Sequence, residues 1–259
     1  MNPKKIRYIN LDTFKSSGLL IDTYKFDFNC RFICNYLSKE VRKLKIIGDG
    51  SYKMISVTLC NATSECKLTY GAVYPDVLSI PLQISEEEQI RYNNMVNLND
   101  RYEFYLQLLE KGYTYASQFI RIPIKDLIIT HDSLRNNNYE NNWLWKRKSF
   151  PSYGIYALFK CYFTTFEFRL EIEVYRLVNK QMITKGIVLR TGPDEIFFNK
   201  KFRDIEVRND ILIIKDFLNK DRFIFNLPLL AQGIYNIKDL DYTKYFSINH
   251  LDLINKITW

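Results

Sequence analysis

The 259-residue chain is 47% hydrophobic and carries 19 Tyr and 18 Phe, which is too apolar for a disordered chain and long enough for one large core or two modest ones without staples. The formal charge of +8 is unevenly spread: residues 1–145 hold 18 Lys plus Arg against 16 Asp plus Glu, and residues 146–259 hold 19 against 13. Clustered cations favour acidic partners, but Lys, Asn, Ile and Tyr are abundant together, as AT-rich coding yields, so the total charge says less about function than its distribution does. The five cysteines, Cys30, Cys34, Cys60, Cys66 and Cys161, follow no recurring spacing and are expected to be reduced, buried thiols. No apolar run approaches the roughly 20 residues of a membrane span, and the basic start lacks the apolar stretch of a secretion signal. The expectation is a soluble, cytoplasmic chain.

In chain order, Phe26, Phe28, Cys30, Phe32, Cys34 and Tyr36 alternate with polar residues and predict a strand, with Ile33 the one break. An apolar run at residues 44–47, then Gly48-Asp49-Gly50, then alternating Ile55, Val57 and Leu59 predict a hairpin. Pro75 and Pro81 limit residues 67–84 to edge strands or loops, since neither can donate to a ladder. Ser85 followed by Glu88 is a capping box opening a helix. A second helix from about Asn99 presents Leu98, Tyr102, Tyr105, Leu106 and Leu109 on one face, with Gly112 as its stop. Residues 119–129 look extended and interrupted by Pro123. The polar, Asn-rich residues 131–142 predict a linker or long loop and the boundary between two halves, 1–138 and 139–259.

The second half carries the clearest pattern. Across residues 153–227 short alternating runs are separated by turn residues at 179–180, 192–194, 208–210 and 219–221, an antiparallel meander. Phe166, Phe168, Leu170, Ile172 and Val174 share one strand face, opposite Glu167, Arg169, Glu171 and Glu173. A phase change between Cys161 and Phe166 predicts a bulge or bend. Pro228 ends the last strand, residues 233–245 read as an irregular return, and Ser247 is placed to cap a terminal helix burying Leu251, Ile254 and Ile257. The fold class is α+β, predominantly antiparallel, with strands before helices in the first half.

The chemistry-bearing residues are sparse. The only histidines, His131 and His250, sit in no motif and are assigned surface or capping roles. The cysteine spacing suits no zinc site, and neither GxGxxG nor GxxxxGK[ST] occurs, so no cofactor or metal is expected. Pro193-Asp194 with Glu206-Val207-Arg208 resembles the PD-(D/E)xK nuclease signature, in which two carboxylates hold a divalent metal; Arg208 departs from it by standing where Lys is usual. Trp143 and Trp145 beside Lys146, Arg147 and Lys148, with a second cluster at Lys200, Lys201 and Arg203, offer stacking and phosphate neutralisation to a nucleic acid. The reading favoured over it has both Trp pointing into the core with the cations at a strand's start.

Residues 99–117, NDRYEFYLQLLEKGYTYAS, in an aromatic-rich β protein without catalytic residues, make the chain similar to bacterial immunity proteins of polymorphic or type VI secreted toxins. The resemblance implies stoichiometric binding of a cognate toxin and carries no motif residue with it. Two segments outside the alternating strands supply candidate partner-binding anchors, because aromatics and Arg dominate interface energy. One is Tyr139, Trp143, Trp145, Lys146 and Arg147; the other is Tyr235, Tyr242 and Tyr245. The non-enzymatic binding reading leads, ahead of a nucleic-acid-binding module and a metal-dependent nuclease.

Overall fold

The computed structural model describes residues 4–15, 18–61, 69–70 and 75–240, which divide into two compact units, Met1–Asn141 and Asn142–Trp259. The expected terminal helix after Ser247, His250, Tyr242 and Tyr245 lie outside the described residues.

The first unit is built on a largely parallel sheet, which corrects the expectation of antiparallel pairing there. Strand β1 (Tyr8–Thr13) leads into helix α1 (Thr23–Leu44) and returns in β2 (Met54–Asn61); β3 (Thr69–Tyr70) and β4 (Val77–Ile84) complete the order β1-β2-β4-β3. The β1/β2 and β2/β4 pairs are parallel and β3/β4 is antiparallel. Residues 23–44 therefore form a helix, not the strand their alternation suggests. Phe26, Cys30, Ile33, Leu37 and Val41 are buried at helical spacing, Asp22 caps the first turn by accepting from Lys25 N, and Lys45 closes the last in the left-handed region. Gly48-Asp49-Gly50 consequently belongs to a βαβ crossover and not to a hairpin, since parallel neighbours need a long connection. Pro81 sits inside β4 opposite Thr58, and β4 stands between β2 and β3, an inner strand where an edge strand or loop was expected.

Three further helices pack in this unit. Helix α2 (Glu86–Asn93) begins with the expected capping box, Ser85 Oγ accepting from Glu88 N while the Glu88 carboxylate accepts from Ser85 N. Helix α3 (Leu98–Ala116) buries Tyr105, Leu106 and Leu109 as anticipated, but Gly112 is not its stop. A Cβ there would lie 2.7 Å from Val57 Cγ2, so this glycine lets α3 approach β2 closely. Helix α4 (Ile124–Asn136) replaces both the extended segment and most of the linker expected from the sequence. Pro123 stands just before its first turn, where a missing N–H costs nothing, and Leu127, Thr130, His131 and Leu134 form its buried stripe. The Asn-rich run shrinks to a turn in which Asn138 and Tyr139 have positive φ.

The second unit contains the meander, divided between two four-stranded sheets. One holds β5 (Asn141–Phe150), β6 (Ile155–Phe163), β7 (Phe168–Arg176) and β8 (Met182–Thr191), in that order. After the short helix α5 (Glu195–Phe198), the other runs β12-β11-β10-β9, from β9 (Asp204–Arg208), β10 (Ile211–Lys215), β11 (Asp221–Asn226) and β12 (Lys238–Asp239), with helix α6 (Leu227–Ala231) before the last. The pairs β6/β7, β7/β8, β9/β10, β10/β11 and β11/β12 are antiparallel. The turns fall where the sequence puts them, with Lys180, Asn209, Asp210 and Asn219 at positive φ. Where a bulge or a bend was expected between Cys161 and Phe166 there is a turn joining β6 and β7 in one sheet: the Thr164 hydroxyl accepts from Phe166 N and Glu167 N, and Thr164 N donates to Glu167 O. Phe166 is thereby left exposed, off the face it was assigned to.

The core of this unit is aromatic. Phe168 is fully buried, stacks on Phe198 at 3.6 Å between ring centroids, lies near-parallel to Phe202 and meets Phe163 edge-on. Leu170, Ile172 and Val174 continue the buried side of β7 as its period requires. Among the described cysteines, Cys30, Cys34 and Cys161 are buried thiols outside any disulfide, whereas Cys60 is disulfide-bonded, contrary to the expectation of five reduced thiols.

Candidate functional site

Four of the anticipated anchors lie on one strand. Among the described residues strand β5 stands at the end of its sheet, and Trp143 and Trp145 turn half-buried rings toward the aromatic core. Trp143 approaches Phe168 at 6.0 Å, and Trp145 meets Phe202 at 4.9 Å and Phe159 at 5.9 Å, both edge-on. These contacts hold the strand in place from behind. Between and beyond them Leu144, Arg147 and Lys148 are exposed. Arg147 places its guanidinium 4.7 Å from the centre of the Tyr156 ring, which itself stacks on Tyr175. Lys146 is engaged differently, in a 2.5 Å ion pair with Asp204 that holds the Asp204 carboxyl below the usual range. Of the three consecutive cations, one is thus neutralised and one rests on an aromatic face.

The other anchors are separate from this strand. Tyr139, in the turn after α4, donates its hydroxyl to Glu103, and its ring lies 5.4 Å from Tyr102. Burial first, and then that carboxylate, pushes its phenol up to about 12. Tyr235 fills the space left by the missing side chain of Gly186: a Cβ on Gly186 would come within 2.3 Å of the Tyr235 ring. Its hydroxyl donates to Ile187 O, so the ring fastens the return segment onto β8.

The residues of the nuclease-like pattern have local partners. Asp194 caps α5 by accepting from Ile196 N. Glu206, on β9, is held by Lys215 Nζ and Arg208 Nε, each at 2.6 Å, and these cations keep its carboxyl below the usual range. Arg208 also reaches Asp221 at 2.8 Å. Among the described residues no group of three or more His, Cys, Asp or Glu side chains is placed to hold a metal ion.

Two polar clusters in the first unit were not anticipated. Asn10 and Asp12 of β1 stand opposite Ser56 and Thr58 of β2, so period two puts all four on one face near the carboxyl ends of parallel strands. Asn10 donates to Asp12 Oδ2 at 2.8 Å and accepts from Arg31 at 2.8 Å, while Thr13 Oγ1 donates to Asp27 Oδ1 at 3.0 Å. Burial raises both carboxyls, Asp27 to about 6; the Thr13 and Thr58 hydroxyls and Arg31 oppose it. The sequence signal that could have found this cluster is Asp12 at the end of an apolar strand together with Asp27 and Arg31 one helical turn apart.

The second cluster corrects the surface role given to His131, which is fully buried. Its Nδ1 lies 3.0 Å from Glu110 Oε1, the contact that does most to keep the Glu110 carboxyl low. Arg135 then grips Glu103 with two nitrogens, at 2.9 and 3.0 Å, and reaches Glu110 at 3.2 Å. This bidentate geometry fixes α4 against α3.

No helix among the described residues is long and apolar enough to cross a membrane. Compared with models of known protein families, with curated proteins and with solved structures, the chain finds no match in any of the three.

Proposed function

We propose that the chain acts by binding a protein partner stoichiometrically through strand β5, and that the partner, as for an immunity protein, is a toxin encoded beside it. The observation that supports this reading is the division of labour on β5: Trp143 and Trp145 anchor the strand from behind while Leu144, Arg147 and Lys148 stand exposed on an edge position. An edge strand offers backbone donors and acceptors to an incoming strand, with its side chains selecting the sequence. The cations fit an acidic partner, whose approach they would steer.

The test uses the full chain purified with the product of the adjacent gene. Leu144→Asp combined with Arg147→Ala should leave cooperative melting intact and weaken the complex about tenfold or more, since interface anchors cost upward of about 1.4 kcal/mol when removed. Unchanged affinity in a folded variant removes β5 from the reading, and absence of any complex removes the toxin partner. A complex with nucleic acid that weakens steeply with salt and is lost in the same variant would replace the protein partner by a polynucleotide.

The working compartment in this reading is the cytoplasm, where disulfides are rare. Acid-quenched alkylation of intact cells should then find Cys60 as a modifiable thiol. A protected Cys60, released only by reductant, would retain in cells the bond seen in the structure and place the chain in an oxidising compartment.

A further inference from the structure

A cleft of about 190 Å³ in the first unit is lined by Asp22, Lys25, Tyr92, Asn93 and Arg101, from the start of α1, the end of α2 and the first turn of α3. We propose that this cleft binds the oxyanion group, a phosphate or a carboxylate, of a small molecule. The argument begins with charge. Two of the lining side chains are cations, and among the described residues neither Lys25 nor Arg101 has a carboxylate within ion-pairing distance. The one carboxylate in the lining, Asp22, is committed as the cap of α1, with Oδ1 accepting from Lys25 N at 3.0 Å. Its charge is therefore offset by the positive end of a 22-residue helix that has no other acidic residue in its first turn.

The remaining polar groups are held so that the cations keep free donors. Arg101 uses Nε to donate to Met95 O at 2.8 Å, which fixes the guanidinium and leaves its two terminal nitrogens for a ligand. Its charge also lies 5.7 Å from the Tyr92 ring centre. Tyr92 is anchored in turn by a 2.9 Å hydroxyl contact with Tyr105, and Asn93 donates to Leu20 O at 3.3 Å, tying the segment before α1 to α2. The wall of the cleft is thus prearranged, and a planar guanidinium beside an ammonium is a pairing that suits oxygens of phosphate or carboxylate. The volume admits a ligand of a few heavy atoms around that group. The site lies in a different unit from β5, so it stands or falls independently of the protein-binding reading.

The experiment titrates the full chain with inorganic phosphate and, separately, with acetate, at low ionic strength, following backbone amide shifts by NMR. Saturable shifts centred on residues 22–25 and 92–101 are expected, with a dissociation constant on the order of millimolar. The phosphate and acetate arms identify which oxyanion the cleft prefers. Arg101→Gln should weaken binding about tenfold, and Lys25→Gln, an exposed position that leaves the fold intact, about fivefold. Lys125→Gln, an exposed cation on α4, should leave it unchanged. Shifts that do not saturate, or that fall equally in the Lys125 variant, would show general attraction to a basic chain and overturn the site; so would full affinity in Lys25→Gln.

Discussion

Phe168→Ala is expected to destabilise the second unit by about 4 kcal/mol, the upper part of the range for a large side chain removed from a packed interior. The ring is fully buried, and its removal strips the stacked contact with Phe198 and the neighbours Phe163, Phe202 and Trp143 at once. In a unit of this size the loss corresponds to a drop of roughly 15 °C in melting temperature, readable by tryptophan fluorescence because Trp143 sits on the lost ring. Phe166→Ala is the control. Two residues away and 60% exposed in the Thr164 turn, it should change stability by less than about 0.5 kcal/mol. Equal effects at the two positions would mean that β7 starts earlier than described and that Phe166 packs inward.

Asp27→Asn is expected to stabilise the first unit at neutral pH. In the fold, burial raises this carboxyl from its ordinary 3.8 to about 6, against the opposing effects of Thr13 and Arg31. An acid with a raised folded value favours its protonated form in the native state. The burden is therefore absent below about 3.8, grows between there and 6, and is fully present above 6. Discounted for the solvent that still reaches the group, it amounts to about 2 kcal/mol. Asparagine keeps the acceptor for the Thr13 hydroxyl without the charge. Denaturation of the two proteins should separate by about that amount at pH 7.5 and converge at pH 3.5. A stabilisation of the same size at both values would assign the gain to packing, and a loss at pH 7.5 would show that Arg31 needs the negative charge more than burial penalises it.

The sequence is legible where one physical demand dominates a segment. Strand β7 alternates because one face is buried and the other wet, the β9–β10 and β10–β11 turns carry residues that tolerate positive φ, and Ser85 with Glu88 can satisfy each other's amides only at a helix start. Helix α1 is misread because it is buried over a broad arc. Phe26, Cys30 and Cys34 satisfy both a period of two and a helical one, and the feature that separates them is Ile33, which a strand would put on its wet side and the helix buries completely. The stretch from 119 to 142 fails for a related reason: Pro123 is compatible with a broken strand or with the residue before a first turn, and the Asn-rich composition hides Leu127, His131 and Leu134 on one buried stripe. The candidate strand β5 is found through its aromatics and cations, but which of them face inward depends on pairing with β6, a long-range fact. The Asp12–Asp27–Arg31 cluster shows in the sequence only once residues 23–44 are read as a helix, which sets Asp27 and Arg31 one turn apart, and the Lys25–Arg101 cleft is assembled from separate elements with no signature within any one of them.

The register of the first unit also dictates when its pieces can come together during synthesis. Tyr8 pairs with Met54 and Thr13 with Leu59 in a parallel ladder, so β1 leaves the ribosome with no strand to join until some 40 further residues have been made, α1 among them. A helix needs only its own neighbours and forms in microseconds or less, whereas a pairing across such a separation waits on chain length and loop closure. Over that interval the apolar Ile9 and Leu11 have α1 as their earliest available cover, with Ser38 already positioned to bond the backbone of Ile9. The fold thus offers β1 a single helix as cover before its partner strand has been made, and slow translation across residues 45–54 is expected to lengthen the time during which that strand is open to other chains.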